Sequence, residues 1–204
     1  MSHAASPLAP LTIALALFAT ATLAQDAPTV RVRGTIERVE GDTLIVKARD
    51  GTVLNVKLAE NGVVVATVKA GLPDIKPGVF VGVSGMPQAD GSQRALEVHI
   101  FPEAMRGTGE GHYGWDLQPQ STMTNGNVEH AAATSDGQSV RLKYKDGEKQ
   151  VLVLPETPIV AYQPADKSDL KQGARIFIAA ARKQPDGTLI APRISVGRTA
   201  SPPM

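Results

Sequence analysis

The sequence predicts an all-β protein built from two copies of one five-stranded unit, and its internal repeat is the main evidence. Residues 30–101 and 124–198 carry the same turn and glycine motifs in the same order, offset by 95 or 96 residues over most of the unit. The matching segments are Gly34–Glu37 with Gly126–Glu129, Asp50-Gly51 with Asp146-Gly147, Asp74–Gly78 with Asp169–Gly173, and Asp90–Ser92 with Asp186–Thr188. A period this long indicates duplicated domains, because short solenoid repeats are roughly 20–50 residues long.

Alternation of apolar and polar side chains predicts the individual strands, since successive side chains of a strand face opposite ways. In the first copy the alternating segments are Val30–Ile36, Leu44–Ala48, Leu54–Leu58, Val79–Val83 and Leu96–Ile100. Asp50-Gly51 and Asp90-Gly91 predict tight turns between strands, because glycine accepts the positive φ that such turns require.

A different kind of segment, residues 63–78, separates the third strand from the fourth. It begins as a β-branched run and predicts a turn or a single helical turn that ends at Pro77-Gly78. Three strands, an insert and two further strands is the order of an OB-like five-stranded barrel, with an open five-stranded sheet as the alternative. The barrel is favoured because closure protects the edge strands of a small sheet.

Most of the mature chain, in two copies, resembles a family of exported bacterial β-domains of unknown function. The resemblance lies in Pro158–Val160, Ser168–Phe177, Asp186–Leu189 and Ala191–Arg198. Family members resemble OB-type barrels, often in tandem behind a signal peptide, and carry an Asp-Leu-Lys-x-Gly element before the fourth strand. Some relatives are labelled "metal ABC transporter permease", but a permease needs several membrane spans that this sequence does not provide. The resemblance therefore implies a fold and brings no catalytic residues.

Residues 1–24 predict a secretory signal peptide. An apolar run from Leu8 to Leu23 ends at a small-residue cleavage pattern that includes Ala24. An uncleaved anchor is the alternative, but the run is shorter than the ~20 residues that span a bilayer as a helix. We expect a periplasmic protein with no transmembrane segment in the mature chain.

Composition excludes several classes of function. The chain has no cysteine, which excludes disulfides and thiolate catalysis, and its formal net charge of +1 provides no general field for nucleic acid. Single-strand binders of OB shape combine aromatic platforms with a basic groove. Aromatic residues make up only 4% of this chain, and Arg31 and Arg33 are expected on a solvated outer face. We expect no nucleic-acid partner.

The segment 102–123, here called the central segment, has no counterpart after the second copy. It contains four glycines, the candidate binding residues Tyr113 and Asp116, and Trp115, the only tryptophan of the chain. One interpretation is a linker that packs Tyr113 and Trp115 over the junction between two barrels. The other is a ligand-binding surface formed by these three side chains.

A metal site is a second hypothesis for the same region. His99, His112, His130 and Met105 lie in or beside the central segment. Imidazole and thioether groups suit copper, and imidazole with carboxylate suits zinc. No ligand pair has a recognisable metal-binding spacing, so this site depends on the fold bringing the side chains together. Otherwise the histidines are ordinary hydrogen-bonded residues.

No motif predicts catalysis. Gly107–Gly111 lacks the Lys-Ser/Thr that follows a phosphate-binding loop. We therefore expect an exported, non-enzymatic binding or scaffold protein that recognises an envelope protein or a glycan. The alternative is a periplasmic metal-binding accessory protein for copper or zinc. The expected organisation is a signal peptide (1–24), two OB-like domains (30–101 and 124–198), the central segment (102–123) and a flexible tail (199–204).

Overall fold

The computed structural model describes residues 28–202, so the expected signal peptide lies outside the described residues. The predicted all-β class is confirmed. The strands are β1 (Thr29–Glu40), β2 (Thr43–Ala48), β3 (Val53–Lys69), β4 (Phe80–Pro87), β5 (Gln93–Ile100), β6 (Gly111–Gly114), β7 (Thr122–Thr134), β8 (Gly137–Tyr144), β9 (Gly147–Val153), β10 (Ile159–Ala165), β11 (Arg175–Lys183) and β12 (Leu189–Gly197). Single 3-10 turns occupy Leu72–Asp74, Glu103–Met105 and Lys167–Asp169. Within residues 28–202, no helix has the length and apolarity needed to cross a membrane.

The predicted turns form as their residue types require. Gly51 and Gly91 adopt φ values of +87° and +82°, which side chains with a Cβ rarely tolerate. The carboxylate of Asp90 accepts a hydrogen bond from the backbone N–H of Ser92 at 2.9 Å, and Asp50 does the same for Thr52. These turns set β2 against β3 and β4 against β5.

Strand pairing closes two five-stranded rings. In the first barrel, β1 pairs with β2 and β2 with β3, while β3 pairs in parallel with β12, which returns through β11 to β1. In the second barrel, β7, β8 and β9 pair in order, and β5 and β4 close the ring between β9 and β7. The prediction of a closed five-stranded barrel is confirmed, and the open sheet is excluded.

Each barrel combines three strands from one half of the chain with two from the other. β4 and β5 leave the barrel of β1–β3, and β11 and β12 take their places. This differs from the expectation that residues 30–101 and 124–198 each form a self-contained domain. The reason is physical: alternation specifies which face of a strand is buried, and it does not distinguish between two partners of similar pattern.

Strand β10, which belongs to neither ring, joins the barrels by pairing with one strand of each. β10 pairs with the second half of β3, with Tyr162 opposite Thr67 and Ala165 opposite Val64. The other edge of β10 pairs in parallel with β5, where Ile159 lies opposite Val98. The two barrels therefore share one continuous hydrogen-bonded sheet.

Each barrel has its own apolar core, and each core draws on both halves of the chain. The first core packs Val32 and Val46 against Ile178 and Ile194. The second core packs side chains of β4 and β5 against those of β7, β8 and β9, including Val81, Val98, Val128, Leu142 and Val151. Neither core can therefore form from one half alone.

The end of the described chain is ordered rather than flexible as far as residue 202. Thr67 donates a hydrogen bond from Oγ1 to the carbonyl of Ala200 at 3.0 Å, and the N–H of Lys69 donates to Oγ1 of Thr199. Pro202 is buried. This part of the expected tail packs against β3, because β12 ends beside β3 and directs the chain along it.

Shared strands predict that the two barrels unfold together. Ile178→Ala, at a fully buried position of the first barrel, should lower the free energy of unfolding by about 2–5 kcal/mol. Hydrogen exchange should show an equal loss of protection for the slowest amides of β8 in the second barrel. Loss confined to the first barrel would contradict the shared architecture. Val53→Ala, at a position 57% exposed, is the matched control.

Candidate functional site

A cavity of about 570 Å³ lies between the two barrels, covered on one side by the central segment. It is lined by side chains of β1, β5, β7, β10, β11 and β12, together with the central segment. Ligand pockets are typically about 300–1,000 Å³. The position of this cavity and the side chains that line it make it the candidate site.

The strand pattern explains how polar groups reach this cavity. On β1, Val32 and Ile36 point into the first core, so Arg31 and Arg33 point outward. On β5, Val98 points into the second core, and His99 lies on the opposite face. The central segment and the neighbouring barrel cover these outward faces. The expectation of a solvated outer face is therefore wrong for Arg33, whose side chain is only 10% exposed.

Aromatic rings form one wall of the cavity. The ring of Phe101 lies 5.1 Å from that of Tyr162 and 5.5 Å from that of Phe80, measured between centroids. The imidazole of His99 contacts the same tyrosine edge-on at 6.2 Å. These distances are in the range of favourable aromatic packing. The wall is therefore a packed cluster, held by β5 and β10.

A glycine makes room for this wall. A Cβ at Gly82 would lie 2.5 Å from Oδ1 of Asn125 and 3.0 Å from the ring of Phe101. Both side chains must approach the backbone of β4 this closely to reach the cavity. Any side chain at position 82 would displace them.

Trp115 forms the opposite wall and attaches the central segment to the first barrel. Its ring lies 6.3 Å from Phe177 of β11 and 6.2 Å from Tyr113. The guanidinium carbon of Arg31 lies 3.9 Å from the Trp115 ring centroid, a cation–π contact. Because β6 of the same segment pairs with β7, the segment bridges both barrels. This is the arrangement that the linker interpretation predicts.

Asp116 fixes the two arginines beside Trp115. Its two carboxylate oxygens each lie 2.8 Å from a guanidinium nitrogen, one of Arg31 and one of Arg33. Partial burial acts to raise the pKa of Asp116. The hydrogen bonds from Arg33 and Arg31, together with their charges, outweigh this effect and bring the pKa to about 2. Asp116 is therefore ionised at neutral pH and shared by two cations.

Several buried polar atoms at the cavity have no hydrogen-bond partner. Seven such side-chain atoms occur in residues 28–202, and four of them belong to cavity-lining residues: Arg31 Nε, His99 Nε2, Asn125 Oδ1 and Arg193 Nε. Leaving a buried polar group unpaired costs about 1–3 kcal/mol. Four of the seven atoms thus belong to residues around one cavity.

His99 is the most deeply placed of these groups. Its side chain is 4% exposed, and Nε2 lies 3.4 Å from Oε2 of Glu97, which is within ion-pair distance but lacks hydrogen-bond geometry. Asn125 is also buried, and its Nδ2 donates to the carbonyl of Thr108 at 3.0 Å. Oδ1 of Asn125 has no hydrogen-bond partner and lies against Gly82 of β4.

The structure places the residues proposed for a metal site in different locations. His99 and Met105 line the cavity. His112 is exposed on β6, with Nδ1 2.8 Å from Oγ1 of Thr124. Partial burial, with a smaller effect from the charge of Lys149, lowers the pKa of His112. The remaining candidate, His130, is exposed on β7 opposite Arg141.

The three histidines therefore do not converge. In the described part of the chain, no group of three or more His, Cys, Asp or Glu side chains could hold a metal ion. Tyr113 and Trp115, proposed as binding residues, do line the cavity, and Asp116 lies behind them.

Residues 33–99 match the family described as "Domain of unknown function (DUF5666)". No curated protein and no solved structure matches the chain. The matched segment covers nearly all of β1–β5, and in the fold it gives three strands to the first barrel and two to the second. The family match therefore corresponds to a unit of sequence that is not a single barrel.

Sequence reasoning missed four residues that line the cavity from β7, β10, β11 and β12, namely Asn125, Tyr162, Phe177 and Arg193. No spacing signal connects them. They face the cavity because the strand exchange brings β7, β10, β11 and β12 to the same place.

Replacing Trp115 with alanine should destabilise the protein. The change removes the contacts with Arg31 and Phe177 that join the central segment to the first barrel. Because Trp115 is partly buried, we expect a loss of about 1–3 kcal/mol, below the roughly 3–5 kcal/mol of a fully buried tryptophan. Thermal unfolding followed by circular dichroism measures it. An unchanged melting temperature would mean that the wall does not support the fold.

The Asp116 ion pairs predict a pH-dependent contribution to stability. The folded-state pKa is about 2 against an ordinary value of 3.8, so the contribution is present above about pH 4 and is lost as the pH falls through 2. Asp116→Asn should therefore cost about 1 kcal/mol at pH 6, since the carboxylate is half exposed, and almost nothing near pH 2. Urea midpoints at the two pH values measure this difference. Asp136→Asn, on the exposed turn between β7 and β8, is the control. An equal cost of Asp116→Asn at both pH values would contradict the assignment.

Proposed function

We propose that this protein is an exported, non-enzymatic binding protein that holds a small ligand in the cavity between its barrels. The observation that carries the proposal is a cavity lined by four residues with unpartnered polar atoms, Arg31, His99, Asn125 and Arg193. They come from β1, β5, β7 and β12, and they line one aromatic-walled cavity. Rigid strands hold such groups more accurately than loops do, which suits selective binding.

The chemistry of the lining supports binding rather than catalysis. Within residues 28–202, no hydrogen bond joins His99 to a hydroxyl group that could act as a nucleophile. The hydroxyl of Tyr162 is hydrogen-bonded to Ser195, and burial raises the pKa of this tyrosine, which keeps it protonated. The guanidinium groups of Arg31 and Arg193 are thus suited to donating hydrogen bonds to a stationary ligand.

The volume of the cavity also limits the kind of partner that it can accept. A volume of about 570 Å³ accommodates a small molecule or the terminal unit of an envelope glycan. A folded envelope protein could enter only through a protruding side chain. We therefore favour a small ligand over the protein partner that the sequence also allows.

Export and duplication belong to the same proposal. The apolar run and cleavage pattern of residues 1–24 support secretion to the periplasm. Strand registers support duplication. In the second barrel Gln93 lies opposite Val151, and in the first barrel Leu189 lies opposite Val56. Leu189 is about one repeat after Gln93, and Val56 is about one repeat before Val151. A reciprocal register of this kind is expected if two copies exchanged equivalent strands.

Copper binding is the second candidate function. His99, Met105 and Met123 all line the cavity, and an imidazole with thioethers is a donor set that suits Cu(I). This set favours copper over zinc, and it does not include His112 or His130. The cavity would then hold the ion at its buried end.

A blocked cavity tests the binding function. Ala180 lines the cavity on β11, so Ala180→Phe should fill part of it, whereas Ala133→Phe adds the same ring on the exposed end of β7. In a fragment screen by protein NMR, we expect fragments to perturb cavity residues in the wild type. Their affinity should fall by about tenfold or more, or about 1.4 kcal/mol, in Ala180→Phe only. Fragments that bind elsewhere, or equally to both variants, would overturn the proposal.

A competition titration separates the copper candidate from the first. Cu(I) is added to the wild type, His99→Gln and His112→Gln in the presence of a chromophoric Cu(I) chelator. Copper binding that is lost only in His99→Gln supports the second candidate. Copper binding that is absent, or equally weak in all three proteins, removes it and leaves the fragment result to decide the first.

A further inference from the structure

We propose that the ligand is an organic anion, with an aromatic or apolar body and one carboxylate, sulfonate or phosphate group directed at Arg193 and Arg31. This inference rests on the proposed binding function and names the class of molecule that the cavity accepts. It follows from the charge, the free donors and the walls of the cavity.

The charge of the cavity favours an anion. Arg31, Arg193 and His99 line it, and no Asp or Glu of the described residues does so. Asp116 is shared between Arg31 and Arg33. Glu97 lies beside His99 and lines a separate cavity. The guanidinium groups in and beside the cavity are those of Arg31, Arg33 and Arg193, and the carboxylates beside it are those of Asp116 and Glu97. The site therefore carries an excess positive charge that an anionic ligand would balance.

The unpartnered donors are suited to an acidic group. Nε of Arg31 and Nε of Arg193 are both buried without a hydrogen-bond partner. A guanidinium presents its N–H groups in a plane that matches the oxygens of a carboxylate or phosphate, and such charge-assisted bonds are stronger than neutral ones. A neutral sugar would leave this charge unpaired.

The walls are suited to a flat or apolar body. Phe101 and Tyr162 form one wall, and Trp115 and Phe177 form the other. Aromatic walls favour stacking with a ring or contact with an aliphatic skeleton. The site therefore combines an apolar slot with a cationic end.

Two probes that share one skeleton test the inference. 8-Anilinonaphthalene-1-sulfonate is a fluorescent aromatic anion, and N-phenyl-1-naphthylamine is the same skeleton without the sulfonate. Because Trp115 is the only tryptophan and lies in the wall, energy transfer from it reports occupancy by either probe. We expect the anion to bind at one site per chain, about tenfold or more tighter than the neutral probe. Added salt should weaken only the anion.

Matched variants assign the preference to the cationic end. Arg193→Gln should reduce affinity for the anion by about tenfold and change affinity for the neutral probe by less than about twofold. Arg182→Gln, which removes an exposed arginine of β11, should change neither affinity. Ala180→Phe should weaken both probes, which locates them in the cavity.

The possible outcomes distinguish failure of the anion assignment from failure of the proposed binding function. Equal affinity for the two probes, or an equal loss for both in Arg193→Gln, overturns the anion assignment and leaves the binding function standing. If neither probe quenches Trp115, or if Ala180→Phe changes neither affinity, the cavity is not a site for molecules of this class. The anion assignment and the proposed binding cavity then fail together.

Discussion

The reciprocal exchange of two strands between the barrels is the constraint on which the rest of the structure depends. β4 and β5 complete the barrel of β7–β9, and β11 and β12 complete the barrel of β1–β3. The pairing of β3 with β10 then holds the two rings against each other. Because the chain crosses between the rings, they form a single cooperative unit with their outer strand faces opposed.

Opposed outer faces account for the candidate site. A lone small barrel would expose Arg33 and His99 to water, whereas here the neighbouring barrel and the central segment bury them. Burial makes each polar group demand a partner. On one side Asp116 pairs with Arg31 and Arg33, and Trp115 covers these arginines with an aromatic surface. The residues that carry the remaining unpartnered polar atoms line the cavity in which we propose that a ligand binds.

Much of the fold could be predicted from the sequence, and little of the site. Alternation located the strands and Asp-Gly pairs located the turns, because both are local effects of backbone geometry. Pairing between the halves could not be predicted, since equivalent strands such as β5 and β12 offer similar faces to either barrel. Tyr113 and Trp115 stand out in the sequence because aromatics among glycines are unusual, whereas Asn125 and Arg193 look like ordinary strand residues. The three histidines looked like a set only because they are close in sequence.

Long-range NOEs between backbone protons of β1 and its neighbour test the strand exchange most directly. The account predicts contacts between Arg33 and Phe177 and between Gly34 and Ile176, and contacts across the parallel pair of β3 and β12 at Val64 and Ile194. Contacts from β1 to β4 and from β3 to β5 would instead show two self-contained barrels. That result would remove the shared interface and with it the cavity.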